Sequence, residues 1–321
     1  MSSVTEVSKL SEQEYRAARG LNYSGMKDLA ISPLRFWYLH VNPDAPVIEP
    51  TPEMQIGSAL HCKVLEPDKF NERYASEISA SDFDGCLVTM DDLRRWLTER
   101  GEKPKGTRKA DVITQVQSVD PGWPIFDVLA DAHYAECKGK VLFGRDDWQR
   151  IERMADALMS EPHVRAILGR GKAEVPYFTT DPESGVLLKS RLDFVSPGLI
   201  VDLKSFSQKR GKSIDRSIHD AIWYERYSNQ AYFYSFVRSL AEGGKMHPVL
   251  LAFVESQEPH EVRLRVLRPG NLYWDRARIE VRGLIETYRE CMERFGAEKP
   301  WRYAQDMADL CDEDLPGLAY N

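Results

Sequence analysis

The chain has 321 residues, 42% of them apolar and 29% charged, and carries a net charge of −7 at neutral pH. That length holds one large domain or two ordinary ones around a packed core, and the acidic balance speaks against a general nucleic-acid binder. No run approaches the roughly eighteen apolar residues of a membrane span, and the N-terminus lacks the charged-then-apolar order of a secretion signal, so a cytoplasmic protein with no membrane partner is expected.

Residues 1–21 are polar and read as a flexible N-terminus, followed by one folded unit over 22–321. Ser24 is placed to cap a helix carrying Met26, Leu29, Ala30 and Leu34 at helical spacing. Ser32-Pro33 interrupts it, and a second helix should carry Phe36, Trp37 and Leu39. Four prolines within 42–53 make an extended connection. The next helix, 54–65, puts Ile56, Leu60 and Val64 on one stripe and Gly57 and His61 on another. A glycine inside a helix costs about 1 kcal/mol against alanine, which a close backbone approach at Gly57 would explain.

Residues 76–88 read as a polar linker. Residues 89–119 form a small helical insert, with Thr89 capping a helix over 91–97, a break near Gly101, and a second helix over 110–116. This pair resembles a SAP-type DNA-binding motif; the alternative is a solvated helical hairpin. An amphipathic helix over 145–159 and a helix over 162–168 precede strand-like runs at 174–180, 186–195 and 199–205. Helices at 214–224 and 228–240, strands at 247–255 and 261–267, and a long helix at 272–295 complete the pattern, followed by an aromatic then acidic tail. The five cysteines (Cys62, Cys86, Cys137, Cys291, Cys311) are dispersed without a C-x-x-C, which argues against disulfides and cysteine-built metal sites. The alternation of strands and helices gives an α/β class with a mixed sheet flanked by helices.

The chemistry gathers on the second and third strands of the central run. If Pro197 and Gly198 form a two-residue loop, Ser196 faces Leu199, Val195 faces Ile200 and Asp193 faces Asp202, with Lys204 two residues on along the same face. Opposed carboxylates repel, and a divalent cation is the usual remedy. Asp193 and Asp202 are hard oxygen ligands suited to Mg²⁺ or Mn²⁺, and the Leu203 carbonyl and His61 extend the set. Lys204 would orient or help deprotonate the attacking water and neutralise charge on a phosphate; a second ion would serve both oxygens of an in-line displacement. From Lys189 to Arg216 seven basic residues outnumber three acidic ones, a local positive stripe in an acidic protein.

Asp193 with Asp202-Leu203-Lys204 resembles the PD-(D/E)xK nuclease signature, although Leu192 stands where that signature often has proline. Gly57-Ser58-Ala59-Leu60-His61 is similar to the G-x-x-x-H element of the RecB-like branch, and Gln230-Ala231-Tyr232-Phe233-Tyr234 to its Q-x-x-x-Y element. Tyr23-Ser24-Gly25-Met26-Lys27-Asp28-Leu29, with Ser32-Pro33, resembles the opening helix of the RecE (exodeoxyribonuclease VIII) exonuclease domain. The resemblance implies a restriction-endonuclease-like core. It implies a Mg²⁺- or Mn²⁺-dependent exonuclease, with one or two ions, that degrades linear double-stranded DNA from 5′ ends. The resulting 3′ tails would serve a RecT-type annealing protein, and the chain would form a ring-shaped homo-oligomer. By that analogy His61, Asp193, Asp202 and the Leu203 carbonyl bind metal and Lys204 is catalytic, while Gln230, Tyr234, Arg191 and Ser205 contact DNA. Arg191 has a second reading as an ion-pair partner of Asp193 or Asp202, and Glu174 either ligates an ion or hydrogen-bonds a ligand. The rival functions are another endonuclease on this fold and a non-catalytic DNA-binding protein with a decayed site; the four-cysteine iron–sulfur nucleases of the branch are excluded by the cysteine pattern.

Overall fold

A computed structural model describes residues 10–303. The chain opens with α1 (Glu12–Ala17), α2 (Tyr23–Ile31) and α3 (Pro33–Phe36), the last running into a π-helical turn at Trp37–Val41. Next come α4 (Pro52–Leu65), α5 (Pro67–Arg73) and a short strand β1 (Tyr74–Ser76), then α6 (Met90–Glu99), α7 (Lys109–Val119) and α8 (Phe126–Glu136). β2 (Val141–Phe143) pairs in parallel with β1, and α9 (Arg145–Ser160) and α10 (Pro162–Leu168) follow. The main sheet contains β3 (Lys172–Thr180), β4 (Leu187–Ser196), β5 (Leu199–Phe206), β6 (Val249–Glu255) and β7 (Val262–Leu267). Between β5 and β6 lie α11 (Ile214–Tyr224) and α12 (Tyr227–Glu242), and α13 (Leu272–Phe295) closes the described chain.

The sheet order is β3-β4-β5-β6-β7, with β5 and β6 parallel and the other neighbours antiparallel. It is the mixed sheet flanked by helices that the alternation implies. The β5–α11–α12–β6 connection is the crossover that parallel neighbours need. Every residue of β6 is buried, which its unbroken apolar run requires of a strand covered on both faces. One face packs Leu188, Leu192, Ile200, Leu251 and Phe253 against α2, α11, α12 and α13. The other packs Val201, Leu203, Leu250 and Val254 against α4, α9 and α10. The insert has its own small core of Leu93, Trp96, Leu97, Val112 and Val116, closed by Leu87 and Ile125.

Several details differ from the sequence reading. Residues 12–17, expected to be loose, form a helix with a Ser11–Glu14 capping box. Lys189 Nζ donates to the carbonyls of Tyr15, Arg16 and Ala18 at its C-terminal end, the favourable end for a cation. Residues 1–9 and the acidic tail lie outside the described residues. The cap of α2 is Asn22, whose Oδ1 accepts from the Gly25 amide at 2.8 Å, and not Ser24. Gly57 has nothing within 4 Å of where a Cβ would sit, so no close approach accounts for it. Helix α8 and the β1–β2 pair were unpredicted: α8 buries no residue, so its apolar periodicity is weak, and three-residue strands carry almost no pattern.

Candidate active site

The site forms where the β4–β5 ribbon splits. The turn at Pro197-Gly198 gives the expected register: Ser196 pairs with Leu199, Val195 with Ile200 and Phe194 with Val201. Gly198 sits at φ 73°, as the third position of a type II turn demands. The ladder stops there: beyond it β4 pairs only with β3 and β5 only with β6. Asp193 and Asp202, next in register, are left at the fork. The Asp193 carboxylate replaces the missing backbone partner, its Oδ2 accepting from the Leu203 amide at 3.0 Å.

Glu174 completes the fork from β3. It lies between the pairs Ala173–Phe194 and Val175–Leu192, opposite Asp193, and has φ 53°. A non-glycine residue at positive φ is strained, and such strain concentrates at functional sites. Its consequence is visible in the packing. Leu192 belongs to one core and Phe194 to the other, so the alternation along β4 reverses across Asp193. The distortion falls where Glu174 and Asp193 are directly opposed, so both carboxylates gather at the break in the alternation.

His61 reaches the same point from α4. Its Nε2 is 3.0 Å from the Leu203 carbonyl and its Nδ1 is 3.4 Å from Asp193 Oδ2. Ligand atoms of His61, Glu174 and Asp193 all lie within 4.8 Å of one another. Arg191 pairs with neither Asp193 nor Asp202; its Nε is 2.7 Å from Glu174 Oε2. Lys204 Nζ stands 2.7 Å from Asp202 Oδ2 and 5.0 Å from the centre of the Tyr227 ring. Gln230 Nε2 donates to the Tyr234 hydroxyl at 2.9 Å. Ser205 is exposed and on the far side of β5 from Lys204.

Electrostatics distinguish these groups. Burial and the neighbouring Asp193 push Glu174 up to about 7, against the pull of Arg191. Burial and Asp193 also raise Asp202, with Lys204 opposing. Burial disfavours the Lys204 ammonium, but the Asp202 and Asp193 carboxylates outweigh it and raise its pKa, so the group donates to whatever lies before it. Burial, Asp202 and Asp193 hold the Tyr234 phenol well above its ordinary value. Asp202 is 1% exposed, and neither carboxylate oxygen has a hydrogen bond of good geometry. A buried carboxylate in that state is costly, and the Lys204 ammonium is the cation that offsets it.

The donor set fits a divalent cation. If Nε2–H of His61 donates to the Leu203 carbonyl, Nδ1 presents its lone pair to the Asp193 carboxylate, an acceptor facing an acceptor. A cation between them relieves that contact and the Asp193–Glu174 repulsion together. Carboxylates and one imidazole suit Mg²⁺ or Mn²⁺. The structure thus brings together His61, Asp193, Asp202, Leu203, Lys204, Gln230 and Tyr234. It promotes Glu174 to a full member of the cluster and ties Arg191 to it. The signal that could have found Glu174 was the like-charge opposition itself, extended one strand further.

Known proteins offer the following likenesses. Residues 23–313 match the family model described as a PDDEXK-like domain of unknown function (DUF3799). A crystal structure from Eubacterium rectale titled "Putative exonuclease" aligns over 84% of this chain and 93% of its own, at 18% identity and a TM-score of 0.39. A second, titled SSO0001, aligns over 74% of this chain and 87% of its own, at 13% identity and a TM-score of 0.25. No curated protein matches the chain.

Proposed function

The chain belongs to the family of PDDEXK-like domains, and from that premise we propose that it is a divalent-metal-dependent nuclease that resects the ends of linear double-stranded DNA. The observation that carries this reading is the fork of β4 and β5, where His61, Glu174 and Asp193 converge beside the Asp202–Lys204 pair. His61, Glu174, Asp193, Asp202 and the Leu203 carbonyl would hold the ion. Bound there, Mg²⁺ or Mn²⁺ supplies Lewis acidity and lowers the pKa of a coordinated water. The residues of the chain do the rest. Lys204, an ammonium donor, orients the attacking water and offsets charge that grows on the phosphate oxygens. Asp202 holds Lys204 in place at 2.7 Å. Tyr234 and Gln230 offer a hydroxyl and an amide to a phosphate. Arg191, held by Glu174, is a second cation within reach of the strand.

The finer reading rests on the likeness to the RecE exonuclease domain. It comprises attack from 5′ ends, 3′ single-stranded tails handed to a RecT-type annealing protein, a ring-shaped assembly of copies around the duplex, and action in the cytoplasm. No described helix is long and apolar enough to cross a membrane.

The deciding experiment is digestion of linear duplexes labelled at either 5′ or 3′ ends, with Mg²⁺ or with EDTA, beside a closed circular duplex. Release of 5′ label in Mg²⁺ alone, with the circle intact, is expected. Cleavage of the circle at a comparable rate would replace the exonuclease by an endonuclease on the same fold. No cleavage of either would leave a DNA-binding protein.

A further inference from the structure

Two large rings stand in solvent close to the site. Trp223 is 49% and Tyr224 71% exposed, adjacent at the C-terminal end of α11. Aromatic side chains of this size normally bury most of their surface. These two face cations instead: the Arg276 guanidinium lies 4.1 Å from the Trp223 ring centre, and Lys209 Nζ 5.6 Å from that of Tyr224. Between Trp223, Tyr224 and Arg226 on one side and Tyr273, Arg276 and Glu280 on the other is a concavity of about 170 Å³.

The chain path links this patch to the catalytic lysine. β5 ends at Phe206, and a basic loop over 207–213 leads into α11. After Tyr224 the backbone turns through Arg226 at φ 54°, a turn fixed by the Tyr23 hydroxyl donating to the Arg226 carbonyl at 2.6 Å. The next residue, Tyr227, carries the ring beside Lys204. Three residues span at most about 10 Å of backbone, so Tyr224 and the Tyr227 that meets Lys204 sit close together along the chain. Nearby acids are already engaged: Glu225 with Lys27, Glu280 with Arg226 and Arg276, and Asp220 with Lys212 and Arg216. Lys209 and Arg210 have no carboxylate partner among the described residues.

We infer that Trp223 and Tyr224 form a stacking platform for unpaired DNA bases next to the scissile phosphate, with Lys209 and Arg210 following the backbone. The inference rests on the nuclease reading and deepens it. Exposed π-faces flanked by free cations are what a single strand binds without regard to sequence. Trp223 keeps one face covered by Arg276, which Glu280 holds in place, and the backbone charge is left to Lys209 and Arg210.

The test is binding in EDTA, where nothing is cut, measured by fluorescence anisotropy on the full chain. The probes are a short labelled oligothymidylate, an abasic oligonucleotide of the same length, and a blunt duplex. The wild type should prefer oligothymidylate to the abasic strand. Trp223→Ala with Tyr224→Ala should lower oligothymidylate affinity about tenfold or more and erase that preference, while Trp223→Phe with Tyr224→Phe restores most of it. Both rings are solvent-exposed, so melting of the alanine variant should match wild type. Equal wild-type affinity for the two single strands overturns the platform, as does an unaffected alanine variant. So does a change in assembly mass with oligothymidylate affinity intact, which would make the patch a contact between copies. Cleavage of labelled duplex by wild type and its loss in Asp202→Asn is read separately. If wild type cuts but the base preference is missing, the platform alone fails. If wild type cuts nothing, the nuclease reading fails while the base preference still reports on the rings.

Discussion

Replacing Asp193 by asparagine separates the metal site from the fold. The change keeps an oxygen for the Leu203 amide, which Asp193 accepts at 3.0 Å, and removes one of the clustered charges. Ligand atoms of Asp193 and Glu174 lie within 4.8 Å. Two unit charges at that distance repel by about 3 kcal/mol at an effective dielectric constant of about 20. At pH 8, above the value of about 7 to which burial and Asp193 push it, the Glu174 carboxylate is charged. Arg191 takes up part of the repulsion. In EDTA at pH 8 the asparagine variant should therefore melt at or above the wild-type temperature. Metal reverses the order. An ion at about a hundredfold its Kd adds about 2.7 kcal/mol to a protein that binds it only when folded. At roughly 2–4 °C per kcal/mol for a chain approaching this size, wild type should gain about 5–10 °C with Mn²⁺, and the variant little. Scanning calorimetry with and without Mn²⁺ makes the comparison. A variant that keeps the full metal shift, or that falls by several degrees in EDTA, would refute the argument that these carboxylates are assembled for a cation.

Lys204→Met keeps the stem and removes the ammonium. Duplex cleavage should drop by about a hundredfold or more with gel-shift affinity retained, and normal cutting would unseat Lys204. Arg282→Ala leaves the fully buried Asp181 without the guanidinium 2.8 Å away, at a cost of about 3–5 kcal/mol in urea unfolding. Burial raises Asp181, but the hydrogen bonds from Ser184 and Arg282 outweigh it and lower its pKa. Its stabilisation is therefore present above its unfolded value near 3.8 and lost as pH falls through the lower folded value. The difference from wild type should accordingly narrow in acid, and a constant gap from pH 7 to pH 3 would contradict this. Gly171→Ala would drive a Cβ into the Val195 carbonyl oxygen and the Phe194 ring. Such overpacking costs about 1–3 kcal/mol and displaces the ribbon just after Asp193, so melting temperature and cleavage should fall together.

The sequence by itself determined the five strands of the main sheet, the ribbon register and most of the candidate site. Periodicity and turn chemistry are local, and Pro197-Gly198 with its flanking alternation allowed one in-register hairpin. The carboxylates of Asp193 and Asp202 and the lysine at Lys204 followed from that register together with the resemblance. Only the tertiary structure decided where the ribbon divides: the β4–β5 ladder ends at Phe194 and Val201 while β3 stays paired with β4 and β6 with β5 on the outer edges, and β6 is far from β5 in sequence. The same holds for Glu174, whose positive φ breaks the alternation that pattern reading depends on. Arg191 took a partner on β3 that no spacing could indicate. His61 was visible as a residue and a motif, but its contact with Leu203 spans 142 positions and exists only once α4 packs across the sheet.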